Sequence, residues 1–153
     1  MGLVIATTPS VKVVDALGTV KISGLAAFDA GTDKLRKISV RRFRNEKIIK
    51  TILDNQESFV TYYKDHFDGL QYDPDFIWNN FDESGNEKLY CSEMVTKFLS
   101  GFLRIELPMK RMKFDVNRDE WIKYFQGPPP DGKWGNAPAD YEKSDLFYEV
   151  GEL

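Results

Sequence analysis

Leu89-Tyr90-Cys91-Ser92-Glu93-Met94-Val95 holds the chain's one cysteine at a change of periodicity. Upstream, Glu87-Lys88-Leu89-Tyr90 follows the turn-like Asp82-Glu83-Ser84-Gly85-Asn86 and reads as a short extended segment. Downstream, Met94, Val95, Phe98, Leu99, Phe102 and Leu103 recur at helical spacing and predict a helix with one apolar face. Cys91 is therefore expected at or beside the N-terminus of a buried helix. The unpaired N–H groups there favour a thiolate and can hold the oxyanion formed when sulfur attacks a carbonyl. A free cysteine is also among the most buried residue types and often only packs. Both readings of Cys91 stand on local features alone.

Working outward, Gly2–Ala6 and Val11–Ala16, joined by Thr7-Thr8-Pro9-Ser10, predict a β-hairpin in which Val11, Val13 and Asp15 share a face. Thr19–Ser23 predicts another strand, Leu25–Phe28 a turn of helix closed by Gly31-Thr32-Asp33, and Lys37–Phe43 a strand with one wet face. Asn45 is expected to cap a helix whose stripe runs Ile48, Ile49, Ile52, Leu53, Phe59, Val60, Tyr63 and stops near Gly69. Asn117 and Glu120 have the spacing of a capping box ahead of a short helix through Trp121, Ile122 and Phe125. The tail is expected to end in a helical turn and an edge strand. Trp78, Trp121 and Trp134 are read as packing residues.

The chain has 153 residues, 42% hydrophobic and 29% charged, with a net charge of -3. That suits a single α+β domain over 1–153 with a core of its own. Mild acidity and the lack of a basic-aromatic run argue against nucleic acid. No apolar run approaches the roughly 18 residues of a membrane span, and no signal peptide is read, so the chain is expected to be soluble. One cysteine and one histidine cannot make a zinc site, so neither metal nor cofactor is expected.

Tyr90-Cys91-Ser92-Glu93-Met94-Val95, in this order of elements, resembles the NlpC-type cysteine hydrolases of the permuted papain fold, in their YiiX/YebB-like branch. Gly2-Leu3-Val4-Ile5 is similar to the family strand that follows the catalytic histidine, and Val13–Gly18 to the next strand with its orienting acid. Gly69-Leu70-Gln71-Tyr72-Asp73 matches the segment before the nucleophile, and Ala137–Tyr141 the C-terminal Pro-containing segment. The resemblance covers nearly the whole chain. It implies a small antiparallel sheet packed on a helix carrying the cysteine at its N-terminus. It also implies Cys91 as nucleophile, Asp15 as the acid behind the histidine, and Tyr72, Asp73 and Tyr90 at the substrate. The implied reaction is hydrolysis of a peptide, cell-wall peptide or N-acyl amide through an acyl-thioester.

The family's histidine lies about two residues before the glycine matched by Gly2, ahead of Met1. The chain as given is therefore expected to be inactive. Either Met1 is an internal methionine of a longer protein, or the domain has lost its base and binds a peptide, amino acid or acyl ligand. The one histidine, His66, falls outside the family's position and is expected to face solvent. Glu93, in the first helical turn, is read as structural. An uncovered edge at the first strand is expected to invite self-association.

Overall fold

The computed structural model describes residues 1–6, 10–31 and 38–152, and its architecture is mixed α+β with small antiparallel sheets. Alternating apolar residues make β1 (Gly2–Ala6), β2 (Lys12–Leu17) and β3 (Thr19–Gly24), which pair antiparallel in that order. The hairpin is thus present, although residues 7–9 of its turn lie outside the described residues. Gly18, at φ +86, makes the tight reversal between β2 and β3, a conformation that L side chains avoid.

α1 (Leu25–Gly31) follows directly; residues 32 and 33, expected to close it, lie outside the described residues. β4 (Ser39–Phe43) pairs antiparallel with the last strand, β9 (Phe147–Glu152), matching the edge strand expected of the tail. The pair binds the C-terminus to the first third of the chain.

The long helix expected from Asn45 to His66 is two helices, α2 (Glu46–Asp54) and α3 (Gln56–His66). Asn45 caps α2 as expected, its side chain accepting the Lys47 N–H at 2.9 Å. The break falls at Asn55, at φ -126 and ψ 31. Its side-chain amide donates to Thr51 O at 2.8 Å, and its N–H turns to Ile52 O, a competition for backbone groups typical of asparagine. The bend lets Phe59 and Tyr63 enter the core while α2 keeps no residue fully buried.

α4 (Cys91–Leu103) is the central helix; its apolar face buries Met94, Val95, Phe98 and Leu99. Those side chains share one core with Val14, Ala16 and Val20 of the sheet and Phe59, Tyr63 and Phe67 on the α3 side. Phe98 sits among aromatic rings, its centroid 4.6 Å from Phe59, 5.5 Å from Tyr62 and 5.5 Å from Phe67. Gly101 permits this approach, since a Cβ there would lie 2.8 Å from Tyr62 Cζ.

The remaining elements are short: β5 (Asn80–Phe81) with β6 (Glu87–Lys88), β7 (Lys110–Arg111) with β8 (Trp134–Gly135), α5 (Arg118–Phe125) and α6 (Pro138–Glu142). α5 begins where expected, but the capping box does not form. Asn117 is left-handed at φ 55 and makes no side-chain cap bond. One half of such a cap appears at α6, where Asp140 Oδ2 accepts the Ala137 N–H at 2.7 Å. Among the described residues no helix is long and apolar enough to cross a membrane.

Candidate active site

The backbone carries sheet pairing outward from β3 to Cys91. Val20 N–H donates to Leu70 O at 2.7 Å, and Tyr72 N–H to Gly18 O at 3.0 Å, so residues 69–72 lie along the free side of β3. Leu89 N–H then donates to Gln71 O at 2.9 Å, and Asp73 N–H to Leu89 O at 3.2 Å. Tyr90 remains extended at φ -85 and ψ 162, and α4 starts at the next residue. The extended-to-helix junction expected from the sequence is therefore anchored to the sheet.

Cys91 is a free, half-buried thiol. The first helical bond runs from Met94 N–H to Tyr90 O at 3.0 Å, and no side chain caps the helix. Orphan N–H groups at a helix start are donors suited to an anion. Tyr72, Tyr90 and Tyr141 lie near enough for charge at Cys91 to bear on them; burial first, with that charge adding, pushes all three phenols far above their ordinary range. They stay neutral hydroxyls across the physiological range.

The expected substrate residues occupy different depths. Tyr72 is half-buried beside the thiol. Tyr90 has no exposed surface; its hydroxyl accepts the Asn136 N–H at 3.4 Å, and Gly135 leaves room for it. Asp73 is fully buried too. Its Oδ1 accepts the Asp75 N–H at 3.0 Å and Asn80 Nδ2 at 2.8 Å, while Oδ2 accepts the Ile77 N–H at 2.7 Å. Asp73 thus shapes the loop beside the site and offers a ligand no open surface. Asp15 is buried on β2, paired with Gly2 and Lys21. It alternates along the strand with Val14 and Ala16, and its charge bears on Tyr63 of the core shared with α4.

His66 is exposed on α3, stacked on Tyr62 at 4.2 Å and bonded through Nδ1 to Tyr62 O at 3.0 Å. It does not join Cys91.

Sequence reasoning missed the polar group behind the first turns of α4. Ser92 Oγ donates to Asn136 O at 2.9 Å, Tyr141 hydroxyl to Ser92 O at 2.9 Å, and Asn136 Nδ2 to Thr96 Oγ1. Ser92 and Thr96 at i and i+4 were the available signal, since both fall on one helix face. Their partners are 40 or more residues away.

Glu93 is fully buried in the same turn, its Oε1 accepting the Asn79 N–H at 2.9 Å and pairing with Lys97 Nζ at 3.0 Å. Lys97 also contacts Glu87. Burial raises the Glu93 carboxyl to about 7, against the lowering effect of those partners. Its structural reading fits these bonds.

Two cavities are formed elsewhere: a shallow one at Asn117–Glu120, and a groove along α4 lined by Trp78, Thr96, Lys97 and Leu107. Cys91 lines neither.

No family model matches the chain, and no curated protein matches it in sequence. A solved structure does match in fold: the metalloprotein yiiX from Escherichia coli O157:H7 (DUF1105), with a TM-score of 0.72 at 19% identity. The match covers 99% of this chain and 81% of that one. That protein is described as a metalloprotein. Among the described residues no three His, Cys, Asp or Glu side chains converge, and Cys91 is flanked by tyrosines. At this identity the likeness concerns architecture alone: the chain shares its mixed α+β fold with the yiiX structure.

Proposed function

We propose that the chain is a single permuted papain-like domain of the NlpC type, and that Cys91 is the nucleophile of a cysteine amidohydrolase. The observation that carries this reading is the half-buried Cys91 thiol at the uncapped start of the buried helix α4. The thiolate adds to an amide carbonyl, forming an S–C bond, and the helix N–H groups hold the oxyanion. The amine leaves with a proton delivered by an imidazolium, and water then releases the acid and restores the thiol. Asp15 takes the part of the acid that orients the imidazole. Peptides, cell-wall peptides and N-acyl amides are the substrate classes that fit.

The reading requires an imidazole at Sγ, and His66 stands elsewhere on α3. That position favours a second reading, in which the domain binds a peptide, amino acid or acyl ligand beside Cys91 without turning it over.

The test is labelling of the native protein with iodoacetamide at neutral pH, followed by mass spectrometry. One adduct at Cys91, absent in Cys91→Ser, is expected. Labelling only after unfolding would overturn Cys91 as nucleophile. Ligand binding that survives Cys91→Ser, with no acyl-enzyme formed, would select the second reading.

A further inference from the structure

Tyr72 and Tyr90, which the hydrolase reading puts at the substrate, continue into a set of aromatic rings to which that reading assigns no part. Tyr72, bridged to Leu89 two residues before the cysteine, meets Phe76 edge-on with centroids 6.3 Å apart. Phe76 in turn meets Tyr90 at 5.4 Å, Trp121 at 5.7 Å and Phe125 at 5.9 Å. Trp121, Tyr124 and Phe125 fall on one face of α5 because they stand three and four residues apart. Tyr124, 6.0 Å from Phe76, brings its hydroxyl back toward that of Tyr72. The rings therefore pack against Tyr90 and beside Leu89, the two residues that lead into Cys91.

These rings pack around the buried Phe114 and keep their outer faces open. Phe76, Trp121 and Phe125 are half-buried, Tyr124 is 48% exposed, and α5 has no fully buried residue. Apolar rings left in water beside a reactive atom are what a binding wall requires. Phe76 is also held at φ 52, a left-handed backbone that costs an aromatic residue free energy. Asp73 imposes that conformation by accepting the N–H groups of Asp75 and Ile77 on either side of it. The cation–ring contacts among the described residues fall on Trp78, Trp134 and Tyr148 and on none of these rings.

We propose that Phe76, Trp121 and Tyr124 form the wall that receives the acyl part of the substrate, so that the Cys91 site selects carbonyl compounds bearing an apolar acyl or aromatic group. The inference rests on Cys91 being the nucleophile. The acyl side follows from connectivity: after the amine leaves, the acyl group is the part still bonded to Sγ, and Phe76 of the wall packs on Tyr90, the residue before Cys91. An apolar wall separates ligands by the methylenes it covers, a discrimination of order tenfold or more.

The test uses the full chain with p-nitrophenyl acetate, hexanoate, benzoate and hemisuccinate. Sγ attacks the ester carbonyl, an S–C bond forms, the C–O bond to p-nitrophenolate breaks, and the thiol proton passes to buffer. Phenolate absorbance gives the rate and mass spectrometry locates the acyl group. Relative to free cysteine, hexanoate and benzoate are expected to acylate Cys91 about tenfold or more faster than acetate, and hemisuccinate no faster than acetate. The hexanoate-to-acetate ratio should fall severalfold in Trp121→Ala and in the more exposed Tyr124→Ser, a ratio that general loss of reactivity does not move. Cys91 that is acylated without chain-length preference, or a ratio unchanged in a folded variant, overturns the wall and leaves the nucleophile standing. Cys91 that takes neither esters nor iodoacetamide overturns the nucleophile and the wall together.

Discussion

Glu93 Oε1 accepts the backbone N–H of Asn79 at 2.9 Å, tying the first turn of α4 to the loop that carries Phe76. Lys97 Nζ reinforces the link, donating to Asn79 Oδ1 at 2.7 Å. Asn79 is left-handed at φ 58, so a buried carboxyl and an ammonium together hold a strained loop against the helix.

That arrangement makes stability depend on pH. Glu93 titrates at about 7 in the folded protein against an ordinary value of 4.5. The unfolded chain releases this proton first, so the folded state binds more protons between those values. Stability from this group is complete below about 4.5 and is lost as pH rises through about 7. The loss is on the order of 3 kcal/mol. Thermal unfolding at pH 5 and pH 8 should show a smaller difference in Glu93→Gln than in the wild type. An equal difference in the two proteins would exclude Glu93 as its source.

Asp73→Ala should destabilise the protein by about 2–4 kcal/mol, because it strands the N–H groups of Asp75 and Ile77 and the amide of Asn80. Asp73→Asn keeps an acceptor oxygen and should fall between. Urea denaturation followed by tryptophan fluorescence reads both. A wild-type midpoint for Asp73→Ala would mean that these donors find water at no cost.

Phe98→Ala should cost about 3–5 kcal/mol, since the fully buried ring is enclosed by Phe59, Tyr62, Phe67 and Phe102 and leaves a cavity they cannot close. Phe98→Leu should recover more than half of that. Calorimetric unfolding of the two variants checks the order, which a collapsing site would erase.

β1 is an edge of its sheet among the described residues, and Val4 on it is 46% exposed. We expect concentration-dependent dimers through this edge, weakened in Val4→Lys because charge discourages strand pairing. Sedimentation at increasing concentration decides the matter. A monomer throughout would remove the edge as an interface.

The elements around the site were legible where the signal is local. The stripe through Met94, Val95, Phe98 and Leu99 placed Cys91 at the first residue of α4, and the strand–turn pattern placed the segments of β1, β2 and β3. Asn55 was not legible as a break, because apolar residues continue on both sides and the interruption comes from one side chain competing for backbone. Asn117 matched a capping pattern in letters, yet its left-handed backbone makes no side-chain cap. Trp121 was read as packing; its part in an aromatic surface depends on Phe76, 45 positions earlier in the sequence and 5.7 Å away in space.

By itself the sequence determined that an apolar helix begins at its one cysteine and that short alternating strands precede it, since periodicity and turn chemistry act over a few residues. Only the tertiary structure decided which side chains surround that cysteine. It turned Asp73 inward to its own loop, buried Asp15 on β2, and brought Asn136 and Tyr141 behind Ser92. Those outcomes depend on burial and on partners tens of residues apart. Their free energies arise only when the chain has closed on itself and water has left.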